Sequence, residues 1–121
     1  MYHKGVDILV LGTAQFGMEY GVANRTGTPD ESHVAEILDQ AYISGIRTLD
    51  TAAAYGESEN ALGRAGVSHW EVITKVPSLS GLSDDQLDEA VYGSVLRSLD
   101  CLKIDCLSAV LFHDHRDMIG E

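Results

Sequence analysis

Gly45-Ile46-Arg47-Thr48-Leu49-Asp50-Thr51-Ala52-Ala53-Ala54-Tyr55-Gly56 is the stretch on which the reading of this chain turns. Gly45 is a natural helix stop. Ile46 to Asp50 then reads as a short strand that ends on a carboxylate. Thr51 to Gly56 is a loop of small residues carrying one phenol, Tyr55. A helix that feeds a strand, with a chemically equipped loop at the strand's far end, is the unit of an α/β fold.

The same unit recurs on both sides. Upstream, Ile8-Leu9-Val10-Leu11 is continuously apolar up to Gly12, as expected of a strand covered on both faces in a parallel sheet. A polar, Gly-rich loop runs to Gly27. Thr28 is the expected N-cap of the next helix, with Pro29 at the first helical position and Glu31 completing a T-x-x-E capping box. Val34, Ile37, Leu38 and Ala41 fall at i, i+3, i+4 and i+7 and form one apolar stripe.

Downstream, Glu59 to Ala65 reads as a short helix closed by Gly66. Trp70 to Val76 is a third strand, rich in β-branched residues and halted by Pro77. Ser83 and Gln86 form a second capping box, and Asp84 and Asp85 sit where the helix dipole favours negative charge. Leu87, Val91, Val95, Leu99 and Leu102 supply that helix's apolar face, and Leu107 to Phe112 is the fourth strand.

Strands alternating with helices leave two architectures, an open doubly wound sheet and a β/α barrel. The doubly wound dinucleotide fold calls for G-x-G-x-x-G in a tight turn after the first strand. Gly12-Thr13-Ala14-Gln15-Phe16-Gly17 lacks the middle glycine and opens a long loop. That weighs against the dinucleotide fold, and a β/α barrel and a compact open sheet both remain as α/β architectures for residues 1–121, read as a single domain.

Composition excludes several functions. The chain of 121 residues carries 8 Lys+Arg against 19 Asp+Glu, a formal charge of −11. Nucleic acids and anionic membranes call for a basic face, so neither is an expected partner. No apolar run reaches the ~20 residues of a membrane span. Cys101 and Cys106 are the two cysteines, expected as free buried thiols in a cytoplasmic protein. The acidic residues Glu31, Asp84, Asp85, Asp88 and Glu89 read as solvated helix face.

Four polar residues mark strand ends or the loops after them: Asp50, Tyr55, Lys75 and His113. In a β/α barrel these ends converge on one face, where active sites lie. A carboxylate, a phenol, an ammonium and an imidazole make a proton-transfer set. A free phenol has a pKa of ~10, too high for easy acid–base work at neutral pH. A neighbouring ammonium favours phenolate, a carboxylate holds the ammonium charged, and imidazole orients a carbonyl. His113-Asp114-His115-Arg116-Asp117 also contains metal-type ligands. The first strand offers no ligand pair and Lys75 is a competing cation, so no metal is expected.

The deciding stretch, with Ser58-Glu59 and Leu62-Gly63 after it, resembles the signature of the aldo-keto reductases. Leu11-Gly12-Thr13, Ile73-Thr74-Lys75 and Leu111-Phe112-His113 occupy the family's other positions in order, so the resemblance spans about residues 7–115. It implies a (β/α) TIM-barrel type of α/β fold, of which residues 1–121 form a single partial domain, the first four βα units (a half barrel), and on which a nicotinamide cofactor, normally NADPH, reduces a small aldehyde or ketone. By position, Tyr55 would be the general acid and Lys75 would lower its pKa. Asp50 would pair with Lys75, and His113 would orient the substrate carbonyl. Gly12, Thr13 and Asp50 would lie beside the nicotinamide ribose.

A complete barrel has eight strands and ~250 residues. The first half alone lacks the family's remaining cofactor contacts, so activity of these 121 residues by themselves is in question. The alternative function is a non-catalytic fragment that self-associates, or binds a partner, through its exposed sheet edges.

Overall fold

The computed structural model describes residues 9–18 and 28–118. Its elements run β1 (Val10–Gly12), α1 (Glu31–Ile43), β2 (Thr48–Asp50), α2 (Ser58–Ala65), β3 (Glu71–Val76), α3 (Asp84–Leu102) and β4 (Ala109–Phe112). Single 3-10 turns follow β1 at Ala14–Phe16 and β4 at His115–Met118. Ile8, expected to begin the first strand, and residues 19–27 of the loop after it lie outside the described residues.

The four strands form one parallel sheet in the order β1-β2-β3-β4. Crossovers between parallel strands are right-handed, so an order without reversal puts all three helices on the same face. This is the arrangement of a β/α barrel. A doubly wound sheet needs a point where the order turns back.

Strand alternation does the sorting. Val72, Thr74 and Val76 of β3 face the helices and are buried, while Glu71, Ile73 and Lys75 face the other side. Leu49 of β2, with no exposed surface, is packed between Val34 and Leu38 of α1, Leu62 of α2 and Val72 in one continuous core.

Two stripes differ from expectation. Helix α1 buries Val34, Leu38 and Ala41, but Ile37 is 38 % exposed at the margin of the stripe. On α3 the fully covered residues are Ser94, Ser98 and Leu102, not the apolar row of Leu87, Val91 and Val95. Small residues there permit close approach to α2, and a Cβ on Gly63 of α2 would lie 2.0 Å from the Cys101 carbonyl oxygen of α3. The apolar row is turned instead towards a groove of about 840 Å3 shared with Leu79, Leu82 and Phe112.

Helix caps also shift. Asp30, not Thr28, caps α1, its carboxylate accepting the His33 N–H at 2.9 Å. Asp30 stands one residue before the first helical residue, Glu31, so its side chain alone has the reach to the open N–H groups. The Ser83 box forms as expected, with the Ser83 N–H donating to Gln86 Oε1 at 3.0 Å. Gly45 and Gly66 end α1 and α2 at φ 95° and 88°, left-handed backbone that glycine adopts without cost. Among the described residues no helix is long and apolar enough to cross a membrane.

Candidate active site

The C-terminal ends of the strands carry the candidate chemistry, and backbone ladders set their levels. The Thr13 N–H donates to the Asp50 carbonyl at 3.0 Å, and the Thr51 N–H to the Ile73 carbonyl at 2.9 Å. The register places Gly12 beside Asp50 and Lys75 beside Leu111. Gly12, Asp50 and Lys75 therefore rise on the same side of the sheet, away from the helices.

Lys75 is the centre of the array. Its Nζ donates to Asp50 Oδ1 at 2.8 Å, to the Thr51 carbonyl at 3.0 Å and to Tyr55 Oη at 3.4 Å. Its side chain is 16 % exposed and that of Asp50 34 %, so the pair is sheltered but not dry. The His113 ring meets the Tyr55 ring edge-on at 5.8 Å between centroids. The structure thus brings Asp50, Tyr55, Lys75 and His113 together from β2, its loop, β3 and the end of β4.

Gly12 and Thr13 border the same place. With Ala14, Gln15, Asp50 and Tyr55 they line a recess of about 340 Å3, at the small end of the range for ligand pockets, roughly 300–1,000 Å3. A Cβ on Gly12 would meet nothing within 4 Å, so a flat group has room to lie against that backbone. Thr13 is different. Its side chain is fully buried, its hydroxyl donating to the Asp50 carbonyl at 2.9 Å and lying 3.0 Å from Ser58 Oγ. What Thr13 offers a ligand is a fixed end of β1.

Sequence reasoning missed the buried hydroxyls. Ser58 Oγ donates to the Thr13 carbonyl at 2.9 Å and lies 3.0 Å from Thr51 Oγ1, so the start of α2 ties the ends of β1 and β2. The signal was Ser58 itself, a good capping residue directly after Gly56-Glu57, but its partners are far away in sequence. Gly17 completes the brace. A Cβ there would lie 2.1 Å from the Tyr55 carbonyl oxygen, so only glycine lets this loop press against the Tyr55 turn.

The His113–Asp117 segment is built around an ion pair. Arg116 clasps both carboxylate oxygens of Asp114 and draws its carboxyl far below the ordinary range. Asp117 Oδ2 accepts the Leu79 N–H at 3.0 Å, fastening the loop after β4 to the loop after β3. Among the described residues no three His, Cys, Asp or Glu side chains are grouped to hold a metal. Burial, and then the Glu59 charge, push the Cys101 thiol up; both thiols are free, but neither is fully buried as expected, Cys101 being half-covered and Cys106 exposed.

A parallel βα array with a carboxylate–ammonium–phenol cluster at its strand ends defines a barrel-type protein equipped for proton transfer. Residues 8–117 match the model of the aldo/keto reductase family, and the chain belongs to that family. It is similar to a protein of Pseudomonas aeruginosa assigned to the aldo-keto reductases, with 34 % identity and a TM-score of 0.75 over 93 % of this chain and 46 % of that one. A second structure from the same organism gives 34 % identity and a TM-score of 0.73, over 93 % and 44 %. A structure described as a 2,5-diketo-D-gluconic acid reductase B is 26 % identical with a TM-score of 0.56, over 86 % and 32 %. The chain therefore spans less than half the length of these structures. No curated protein matches it.

Proposed function

We propose that this chain carries the proton-transfer half of an NADPH-dependent reductase of aldehydes and ketones. The observation that carries the reading is the array around Lys75, with Asp50 at 2.8 Å and Tyr55 at 3.4 Å. The bound nicotinamide would supply the hydride. Tyr55 gives its proton to the carbonyl oxygen as that oxygen gains negative charge. The Lys75 ammonium stabilises the phenolate left behind, and Asp50 keeps that ammonium charged and in place. His113, beside the Tyr55 ring, orients the substrate carbonyl. Gly12, Thr13 and Asp50 would hold the nicotinamide end of the cofactor against the open backbone of β1.

The test is titration of the purified chain with NADPH, followed by the cofactor's own fluorescence, because Trp70 lies at the opposite end of β3 from the site. Saturable binding, with turnover of an aromatic aldehyde, supports the reading. A flat titration refutes it for the 121-residue chain.

A second reading is favoured by the sheet edges. Leu9 and Val10 at β1, and Val110, Leu111 and Phe112 at β4, are each between 40 % and 53 % exposed. Both edges belong to one parallel sheet, so β4 of one copy presents the ladder that β1 of another can continue. Self-association through these edges would then be the chain's activity, or the means by which its site is completed.

A further inference from the structure

Helix α2 opens with two buried polar side chains. Ser58, with no exposed surface, reaches β1 and β2 as described above. Glu59 is 6 % exposed and reaches the other way, its Oε2 accepting the Thr74 hydroxyl of β3 at 2.8 Å. Among the described residues that is its hydrogen bond. A buried carboxylate is costly unless something offsets its lost hydration, and no step of the proposed reaction uses it.

Its placement gives it a task. Thr74 faces the helices and the adjacent Lys75 faces the site, so the two share a peptide unit, and what fixes the Thr74 side chain fixes the base of Lys75. At the other end, the Ser58 N–H donates to the Tyr55 carbonyl at 3.0 Å, which fastens the first turn of α2 to the turn carrying the phenol. The Glu59–Thr74 bond therefore joins the backbone beneath Tyr55 to the backbone beneath Lys75. The contact between those two side chains, 3.4 Å, is the longest of the three that Lys75 makes. It lies where a hydrogen bond is weakening, so a small displacement changes it most.

We infer that Glu59 is a positioning residue, whose carboxylate, acting through Thr74, sets the separation of the Lys75 ammonium from the Tyr55 phenol. Its meaning for catalysis rests on the reductase reading, but the brace can be measured without cofactor or substrate. Tyr55 is faced by Lys75, by Asp50 across that ammonium, and by the His113 ring. Of these, the approach of Lys75 is the one Glu59 controls.

The experiment is a phenolate absorbance titration of the full chain, from which the same titration of Tyr55→Phe is subtracted to isolate Tyr55. Glu59→Ala removes the acceptor, Thr74→Val removes the donor at similar volume, and Glu59→Gln keeps an acceptor for Thr74. Glu59→Ala and Thr74→Val are expected to move the midpoint to higher pH by roughly threefold or more in ionisation constant. Glu59→Gln is expected to stay within about a factor of two of the parent. An unmoved midpoint in the first two variants, with only a lower melting temperature, overturns the inference. So does a Glu59→Gln midpoint that rises as far as that of Glu59→Ala, because keeping an acceptor for Thr74 would then make no difference, while loss of the charge alone would move the midpoint down. Loss of cooperative melting in both Glu59→Ala and Thr74→Val overturns it as well, since the bond would then serve the fold. A flat NADPH titration would count against the reductase reading and leave this result standing.

Discussion

Lys75 Nζ stands 2.8 Å from Asp50 Oδ1, across neighbouring parallel strands whose register sets Asp50 beside Ile73, two residues before the lysine. The ammonium leans back towards the acid and stands 3.4 Å from the Tyr55 hydroxyl. In the proposed reaction, removing the phenol removes the proton donor and little else. Tyr55→Phe is expected to lower turnover by about 10²–10⁴-fold while NADPH affinity stays near the parent value. Steady-state rates and a cofactor titration on the same preparation check this, and retained turnover would remove Tyr55 from the role.

Asp50→Ala leaves a sheltered ammonium without its carboxylate. Because the pair is partly solvated, the expected loss of stability is modest, about 1 kcal/mol, whereas turnover should fall nearly as far as in Tyr55→Phe. Denaturant melts beside rates separate the two effects. A large loss of stability with turnover unchanged would contradict the arrangement.

Acid should weaken the start of α1 in a defined window. Hydrogen bonds from the His33 N–H and the Ser32 hydroxyl hold the Asp30 carboxyl below its ordinary 3.8. The unfolded chain then takes up that proton more readily than the folded one. The contribution of this cap is full above the ordinary value and is lost as pH falls through the lower, folded one. Asp30→Ala is therefore expected to melt a few degrees below the parent at neutral pH. The gap should close well below pH 3.8. Thermal melts across pH test this, and a constant gap would be the contrary result.

Gly63→Ala should be costly although alanine is the better helix former. The new Cβ would fall 2.0 Å from the Cys101 carbonyl oxygen, a backbone atom with little freedom to retreat. A loss of about 1–3 kcal/mol is expected. Gly12→Ala is the contrast. Its Cβ meets open space, so melting should hold while the recess narrows and cofactor affinity drops. Paired melting curves and NADPH titrations check both.

If the sheet edges pair between copies, the association must overcome a charge of −11 on each chain. Salt screens that repulsion. Sedimentation should show more dimer at 0.5 M than at about 0.05 M salt, and Leu111→Lys on β4 should shift the protein towards monomer. A monomer at every salt and protein concentration would exclude the second reading.

Much of the site was legible in the sequence. Asp50, Lys75 and His113 each end an apolar or β-branched run, and parallel strands bring such ends to one face. The register confirms that Asp50 and Lys75 share a side. Less legible were the groups whose value lies in burial. Ser58, Glu59, Ser94 and Ser98 are polar yet buried, Ser58 and Glu59 against partners from other elements. Hydropathy cannot reveal a hydroxyl that is satisfied by a residue 45 positions away, as Ser58 is by Thr13. The α1 cap was missed for a local reason. Thr28 and Asp30 are both capping residue types, and the helix starts at Glu31, so Asp30 is the one next to its open N–H groups. The α3 row of Leu87, Val91 and Val95 was read correctly as apolar, but its direction depends on which helix faces are already filled.

The sheet order β1-β2-β3-β4 also bears on how the chain is assembled. Each strand pairs with the one just before it in sequence, so every step closes a loop of a single βα unit and the entropic cost per step stays small. Strands can then be added in the order of synthesis, without waiting for a distant segment. Gly12, Asp50 and Tyr55 are all translated before β3, whereas Lys75 arrives with it. Docking of the third strand is thus the event that joins the Lys75 ammonium to an acid and phenol already laid down, and His113 completes the array when β4 docks after it.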